Sequence, residues 1–403
     1  MSSDVAAPTL DAAVFDGNLI EPTPDAATDG ACPSASSLFE GGCGDPATDA
    51  HNCGDCGHDC MGGACEAGAC VPLPAGTLAT GQLAPIALAT DGTNVYWLAW
   101  GATASSPYGG GLPSVQTFGA QVLKCAATGC GNSPTVLASL PSTYNIGGLA
   151  GGIPVSPSAL AVDGANVYWT EQTSVSSCAI AGCGCSPTTI ASGLSQPPGV
   201  TVANGRVFWS VWANGSPYTG QVETCPITGC SGAPIVLAAA QGGPVGLTAD
   251  NSDVYWVDSY ADGGSLLRCA VGGCNNHPTQ LWSGTASNPM SIVGDANNLY
   301  WTNVGGGSVM QCAKDNCAAT LVTLASGRTL PNGIAVDAAN VYWREGNVYR
   351  CAIGGCNNAP TLVATANINE FSWDTAIALD DKRVYWTQGS STQNDDRIMW
   401  VAK

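Results

Sequence analysis

The sequence predicts an all-β fold: a seven-bladed β-propeller of four-stranded blades, closed by an N-terminal strand and preceded by a small disulfide-rich segment. Three observations carry this expectation. A Val-Tyr-Trp-like tripeptide recurs seven times, as Val95-Tyr96-Trp97, Val167-Tyr168-Trp169, Val207-Phe208-Trp209, Val254-Tyr255-Trp256, Leu299-Tyr300-Trp301, Val341-Tyr342-Trp343 and Val384-Tyr385-Trp386. Successive tryptophans stand 72, 40, 47, 45, 42 and 43 residues apart, so all but the first interval share one period. A period of this size marks a solenoid, a propeller or an array. Finally, 52 Gly and 25 Pro punctuate runs of β-branched and aromatic residues, which is the composition of many short strands joined by turns.

The chain divides into a tail (1–31), a cysteine-rich segment (32–75) and the propeller (76–403). Residues 1–31 are rich in Ala, Asp, Pro, Thr and Ser and poor in large apolar groups. Such a segment cannot bury enough surface to offset its ordering entropy, and it reads as a disordered acidic tether. Seven cysteines follow at 32, 43, 53, 56, 60, 65 and 70. So short a segment needs staples in place of a core. Cys53, Cys56, Cys60 and His58 have the spacing of a zinc site, whereas six of the cysteines would make three disulfides of undetermined connectivity. The thirteen further cysteines in the propeller favour disulfides.

One full repeat shows the job of each strand. It runs Gly333-Ile334-Ala335-Val336-Asp337, Asn340-Val341-Tyr342-Trp343, Asn347-Val348-Tyr349-Arg350-Cys351 and Pro360-Thr361-Leu362-Val363-Ala364-Thr365. These are four strand-forming runs separated by Asp/Asn/Gly turns. The first run is small and apolar (Ala87, Ala161, Gly246, Gly333 and Ala376 in five copies), as an innermost strand near a crowded axis requires. The second alternates, so Val and Trp face one neighbouring blade and Tyr the other. Asp stands six residues before Trp in six copies (Asp91, Asp163, Asp250, Asp295, Asp337, Asp380), with Ala203 in the third. That is turn chemistry.

The third and fourth runs are joined by Cys-x4-Cys in six copies: Cys125 with Cys130, Cys178 with Cys183, Cys225 with Cys230, Cys269 with Cys274, Cys312 with Cys317, and Cys351 with Cys356. A hairpin of this length brings its ends within disulfide reach, each bond contributing ~2 kcal/mol by chain entropy. Cys32 and Cys185 are left over. The seventh copy ends after Arg397-Ile398-Met399-Trp400-Val401, with no fourth strand. Gly76-Thr77-Leu78-Ala79-Thr80 has the pattern of the missing strand, so residues 76–81 are expected to complete blade 7 and leave only protected edges.

Composition bounds the function. Thirty acids against eleven bases give a formal charge of −19, which disfavours nucleic acid and anionic membranes. Glycans, peptides, cations and basic proteins remain as partners of a monomer. No apolar run is long enough to span a bilayer, and residues 1–20 lack the regions of a signal peptide. The cysteines nevertheless imply an oxidising compartment. The expected location is extracellular or on the outer cell surface, with a leader outside this sequence.

Two site expectations follow. Long insertions at 98–118, 139–158, 210–219, 257–264 and 366–375 share one face of the ring. They carry Trp100, Tyr108, Tyr144, Trp212, Tyr218, Tyr260, Phe371 and Trp373, aromatics suited to stacking on a glycan or a protein. Second, the position two after Trp holds Glu171, Asp258, Asn303, Glu345 and Gln388. Glu171, Asp258 and Glu345 are candidate oxygen ligands for a cation of the Ca type, or an acid/base pair. Their other expected role is bonding to neighbouring-blade backbone. The main functional expectation is a binding or scaffold propeller. The alternative is a metal-dependent hydrolase, lactonase or lyase using carboxylates at the channel mouth. His277 is the only propeller histidine and lies in a hairpin on the opposite face, so His-based catalysis has no base there.

Two resemblances sharpen this picture. The core Asn52-Cys53-Gly54-Asp55-Cys56-Gly57-His58-Asp59-Cys60 is similar to stigma-specific-protein-like modules that precede repeats in exported bacterial proteins. It implies an extracellular setting and brings no catalytic residue. Tyr168-Trp169-Thr170, Tyr300-Trp301-Thr302 and Tyr385-Trp386-Thr387 resemble YWTD propellers of lipoprotein-receptor type and related NHL-type secreted propellers. The Asp of that family is Glu171, Asn303 and Gln388 here, and its rings usually have six blades, so the resemblance implies fold more than ligand.

Overall fold

The computed structural model describes residues 45, 47–50, 64–71, 75–99, 116–117, 120–140, 143–144, 159–184, 186–213, 216–260, 263–285, 287–366, 376–389 and 396–403. The expected tether, Cys32, Cys185 and most of the cysteine-rich segment lie outside them. Within that segment Ala64–Glu66 and Ala69–Val71 form a hairpin that sets Cys65 opposite Cys70. Cys65 takes part in a disulfide.

Seven antiparallel four-stranded sheets form the ring. Blade 1 uses Pro85–Thr90, Asn94–Ala99, Gln121–Ala126 and Thr135–Ser139 from the axis outwards. Blades 2 to 6 follow in the same order. They run from Leu160–Val162 to Thr188–Ser192, Val200–Ala203 to Ile235–Gln241, Pro244–Ala249 to Thr279–Ser283, Pro289–Gly294 to Val322–Ala325, and Ile334–Val336 to Thr361–Ala364. Each innermost strand touches the next around the ring, and Ile377–Leu379 of blade 7 returns to Pro85–Thr90.

Blade 7 is completed as expected. Gly76–Gln82 pairs with Asp396–Ala402 and takes the outermost place in a sheet that continues with Arg383–Gln388 and Ile377–Leu379. Side chains then latch the borrowed strand to both neighbours. Thr80 N–H donates to Asn132 Oδ1 of blade 1 (2.6 Å), and Ala84 N–H to Asp396 Oδ2 (3.0 Å).

The alternation of the second strand builds the core. Val95 and Trp97 pack on Tyr385 of blade 7, while Tyr96 packs on Val167 and Trp169 of blade 2. The same exchange repeats at every interface, giving seven clusters. All seven repeat tryptophans are fully buried, and truncating one to Ala would cost about 3–5 kcal/mol. The small innermost residues are a steric necessity. A Cβ on Gly246 would stand 2.6 Å from Met290 O of the next blade.

All six Cys-x4-Cys pairs are joined as the spacing predicts. Cys125 is bonded to Cys130, Cys178 to Cys183 and Cys225 to Cys230. Cys269 is bonded to Cys274, Cys312 to Cys317 and Cys351 to Cys356. Their Cα–Cα separations run from 4.7 to 5.5 Å. The first cysteine of every pair is buried in the core. The second lies further out along the hairpin, so Cys130, Cys183, Cys230, Cys274 and Cys356 are only half-buried. These bonds therefore staple the hairpins between the third and fourth strands. Blade 5 departs from the pattern: its hairpin includes one helical turn, Cys317–Thr320, and Cys317 is buried as well.

Two further asparagines repeat the Asn132 latch, Asn276 accepting from Ala239 N–H and Asn358 from Ser326 N–H (2.6 Å). The sparse cations are also spent between blades: Lys314 on Asp250 (2.7 Å), Lys403 on Asp337 (2.8 Å), Lys124 on Ile180 O (2.7 Å) and Arg344 on Thr387 O (2.6 Å).

Candidate functional site

The two faces of the ring are built by different chemistry. On the hairpin face, each Asp before Val-Tyr-Trp is consumed by its own turn. Asp295 Oδ1 accepts the N–H groups of Asn297 and Asn298 (both 2.7 Å), and its Oδ2 accepts Tyr300 Oη–H (2.6 Å). Asp91, Asp163, Asp250, Asp337 and Asp380 repeat the arrangement. Burial alone would raise the Asp91 and Asp295 pKa, but the Tyr hydroxyl and turn N–H bonds outweigh it and the pKa falls. Conversely, burial, reinforced by the paired Asp, pushes Tyr342 and Tyr385 up to about 12. Blade 3 loses both partners together: Ala203 replaces Asp, and Phe208 replaces Tyr. Its turn is Asn204-Gly205, with φ of 48° and 68°. That conformation suits the strand twist without a carboxylate.

The loop face holds the insertions. Gln116–Thr117 and Thr143–Tyr144, from two different insertions of blade 1, pair with each other. Trp100, Tyr108, Phe371 and Trp373 lie outside the described residues. Tyr144 and Tyr218 sit on strands of which only the backbone is described. The stretch 210–219 departs from the loop expected there. Arg206–Ala213 and Ser216–Pro226 form one long hairpin, paired through Ala213 opposite Ser216. The alternation Val207, Trp209, Val211 simply continues past the repeat motif.

This extension corrects the reading of Trp212 as an exposed stacking platform. Trp212 is buried in the cluster with Val245, and its indole N–H donates to Pro244 O (3.2 Å). Tyr260, half-buried, meets it edge-on with ring centroids 6.5 Å apart. The connection between blades 3 and 4 holds Tyr260 in place: Tyr260 N–H donates to Gly242 O and Ser259 N–H to Gly243 O (both 3.0 Å). Tyr260 is thus set on a rigid floor of Trp212, Pro244 and paired backbone.

The residues two after Trp do not converge. Among the described residues no three His, Cys, Asp or Glu form a group able to hold a metal ion. Glu171 accepts the indole N–H of its own Trp169 (3.0 Å). Glu345 accepts two N–H groups of Arg328, whose guanidinium stacks on Tyr349 at 4.6 Å. Asp258 is buried at 4% exposure, and its Oδ2 accepts Gly242 N–H (2.8 Å). Burial pushes its pKa up to about 6 against the pull of that N–H and of the Trp256 indole N–H beside it. Backbone bonding across blades thus describes Asp258 alone; the acid at Glu171 serves an indole and that at Glu345 an arginine. Sequence reasoning missed the indole partners. Trp97, whose blade has Ala99 at this position, uses Gln82 of the closing strand (2.9 Å), and Trp209, with Val211, uses Glu223 (2.9 Å).

No family model and no curated protein matches the chain. Solved structures do. Virginiamycin B lyase from Staphylococcus aureus superposes at a TM-score of 0.57 with 14% identity, covering 82% of this chain and 98% of that one. A streptogramin B lyase superposes at 0.55 with 10% identity, covering 82% and 97%. The CNH domain of AfRom2 superposes at 0.51 with 9% identity, covering 81% and 99%. At such identities the likeness is one of fold. It establishes a propeller and leaves chemistry to this chain's own residues.

Proposed function

We propose that the protein is an extracellular or cell-surface binding propeller, of YWTD or NHL repeat type, that recognises a glycan or a protein through the loop face. The observation that carries this reading is the contrast between the faces. The carboxylates of the hairpin-face turns are committed to their own turns, whereas the loop face carries the insertions, the extended blade 3 hairpin and the supported Tyr260. Rigid display of an aromatic ring suits stacking on a sugar or an apolar side chain at low entropic cost. Trp100, Tyr108, Tyr144, Tyr218, Phe371 and Trp373 would extend that surface. Six disulfides support an oxidising, extracellular setting. No helix among the described residues is long and apolar enough to cross a membrane. The separate engagements of Glu171, Asp258 and Glu345 argue against a shared Ca site and the hydrolase or lyase reading built on it.

A glycan array and a panel of extracellular-matrix proteins, probed with the oxidised protein, test this directly. The reading expects a ligand whose binding falls at least tenfold in Tyr260→Ala while the melting temperature is kept. Binding that survives Tyr260→Ala and a shortened 211–221 hairpin would sink it, as would a requirement for Ca.

A further inference from the structure

Blade 7 differs from the other six in how its outermost strand is held. In blades 1 to 6 the third and fourth strands follow each other in the chain, and a disulfide closes their hairpin. In blade 7 the same pair is made of the two ends of the ring, Gly76–Gln82 and Asp396–Ala402, and neither strand contains a cysteine. Their register breaks twice, between Thr77 and Ala79 and between Ala79 and Gln82. On its other side Asp396–Ala402 keeps an unbroken register with Arg383–Gln388.

The hold of the borrowed strand is ordered from one end. Gly76 stands opposite Trp400 and Thr77 opposite Met399, and then Leu78 and Ala79 enter the core beside Leu88, Val95 and Trp97 of blade 1. Beyond them Thr80 N–H donates to Asn132 Oδ1 (2.6 Å), and Gln82 Oε1 accepts the Trp97 indole N–H (2.9 Å). These contacts cross the seam between blades 7 and 1, so release of the strand loosens that seam. The two ends of the ring also leave it together. Ala402 is opposite Arg383, which follows the Asp380 turn, so the Gly76–Trp400 end lies on the hairpin face. Lys403 is pinned there by Asp337 (2.8 Å) and by its N–H on Lys382 O (2.9 Å). A pull on the N-terminal segment against the C-terminus therefore loads the Gly76 end first and breaks the contacts in sequence, not all at once.

We propose that Gly76–Gln82 is a tension-sensitive clasp. Load on the N-terminal segment, whose hairpin ends at Val71, peels this strand from its Gly76 end and opens the ring between blades 7 and 1 before any disulfide-closed blade yields. The opening bares the edge of Asp396–Ala402 and the core faces of Leu88 and Trp97. The six bonded hairpins keep their strands paired meanwhile, so the clasp closes again when the load is removed.

Optical tweezers acting on peptide tags at both ends of the oxidised 403-residue chain test the clasp. The expected trace shows a first, reversible opening that releases residues 76–84, about 30 Å of chain at roughly 3.3–3.6 Å per residue, ahead of larger steps. Thr77→Cys/Met399→Cys gives blade 7 the staple of the other blades, since the two residues are opposite and Thr77 Oγ1 lies 3.5 Å from Met399 Sδ. It should abolish the first opening. Leu78→Ala adds no cysteine and serves if the double variant mispairs; it should speed the first opening at fixed load by roughly tenfold or more and leave the later steps unchanged. A first step the size of a whole blade would overturn the proposal, as would unfolding of the entire ring in one step or a first step indifferent to both variants.

Discussion

The Asp–Tyr pair of each blade can be taken apart with blade 3 as nature's own control. In blade 5, Asp295→Ala removes the acceptor of two turn N–H groups and of the buried Tyr300 hydroxyl. The two N–H groups sit at the exposed turn and regain water, each costing ~0.5–1.5 kcal/mol net, whereas the Tyr300 hydroxyl adds a desolvation penalty of about 1–3 kcal/mol. The single substitution should therefore cost roughly 2–6 kcal/mol. Tyr300→Phe leaves Asp295 its turn bonds and should cost only ~1 kcal/mol. In Asp295→Ala/Tyr300→Phe no hydroxyl is stranded, so the double variant should lie about 1–2 kcal/mol above the sum of the singles. Guanidinium unfolding of the four oxidised proteins, followed by Trp fluorescence, closes the cycle. Additive losses would refute the claim that Ala203 and Phe208 occur together because the hydroxyl needs the carboxylate.

Three further outcomes follow from the same geometry. Deleting residues 76–82 should expose the edge of Asp396–Ala402 and open the ring, seen as a broadened, concentration-dependent elution and an early melt; an unchanged Tm would rule out closure by this strand. Asp258 holds its proton to about pH 6 in the folded chain against a reference value of 3.8, so its contribution is greatest below the lower value and is lost as pH rises through the higher one. Asp258→Asn should therefore raise Tm at pH 7.5, within an upper bound of about 3 kcal/mol, and leave it nearly unchanged at pH 4. Gly246→Ala forces a Cβ against Met290 O and should destabilise by ~1–3 kcal/mol in a melting experiment, whereas a neutral result would mean that the axis is less crowded than the geometry states.

Much of this architecture was legible because two periods coincide. The period of about 43 residues places the blades, and the period of two within Val-Tyr-Trp assigns Trp to one interface and Tyr to the other. The closing strand was readable because Leu78-Ala79-Thr80 repeats the outer-strand pattern of Val363-Ala364-Thr365. What escaped depends on reach across the fold. Gln82 serving Trp97 and Glu223 serving Trp209 lie on different strands from their indoles, so no spacing rule connects them. Trp212 was misread for another reason. Its hairpin extends the strand beyond the repeat length, and the alternation Phe208, Ser210, Trp212 is the signal that it turns towards blade 4. The joint change to Ala203 and Phe208 was visible in the sequence, but its meaning needed the Tyr–Asp bond.

The loop face is the centre of the functional account, and a paired comparison tests it most directly. Binding to a glycan array and matrix-protein panel would be measured for the oxidised protein, for Tyr260→Ala, and for Asn132→Ala on the hairpin side. The account predicts a ligand retained by Asn132→Ala and weakened at least tenfold by Tyr260→Ala. A ligand that tracks the hairpin-side change and ignores Tyr260 would contradict it.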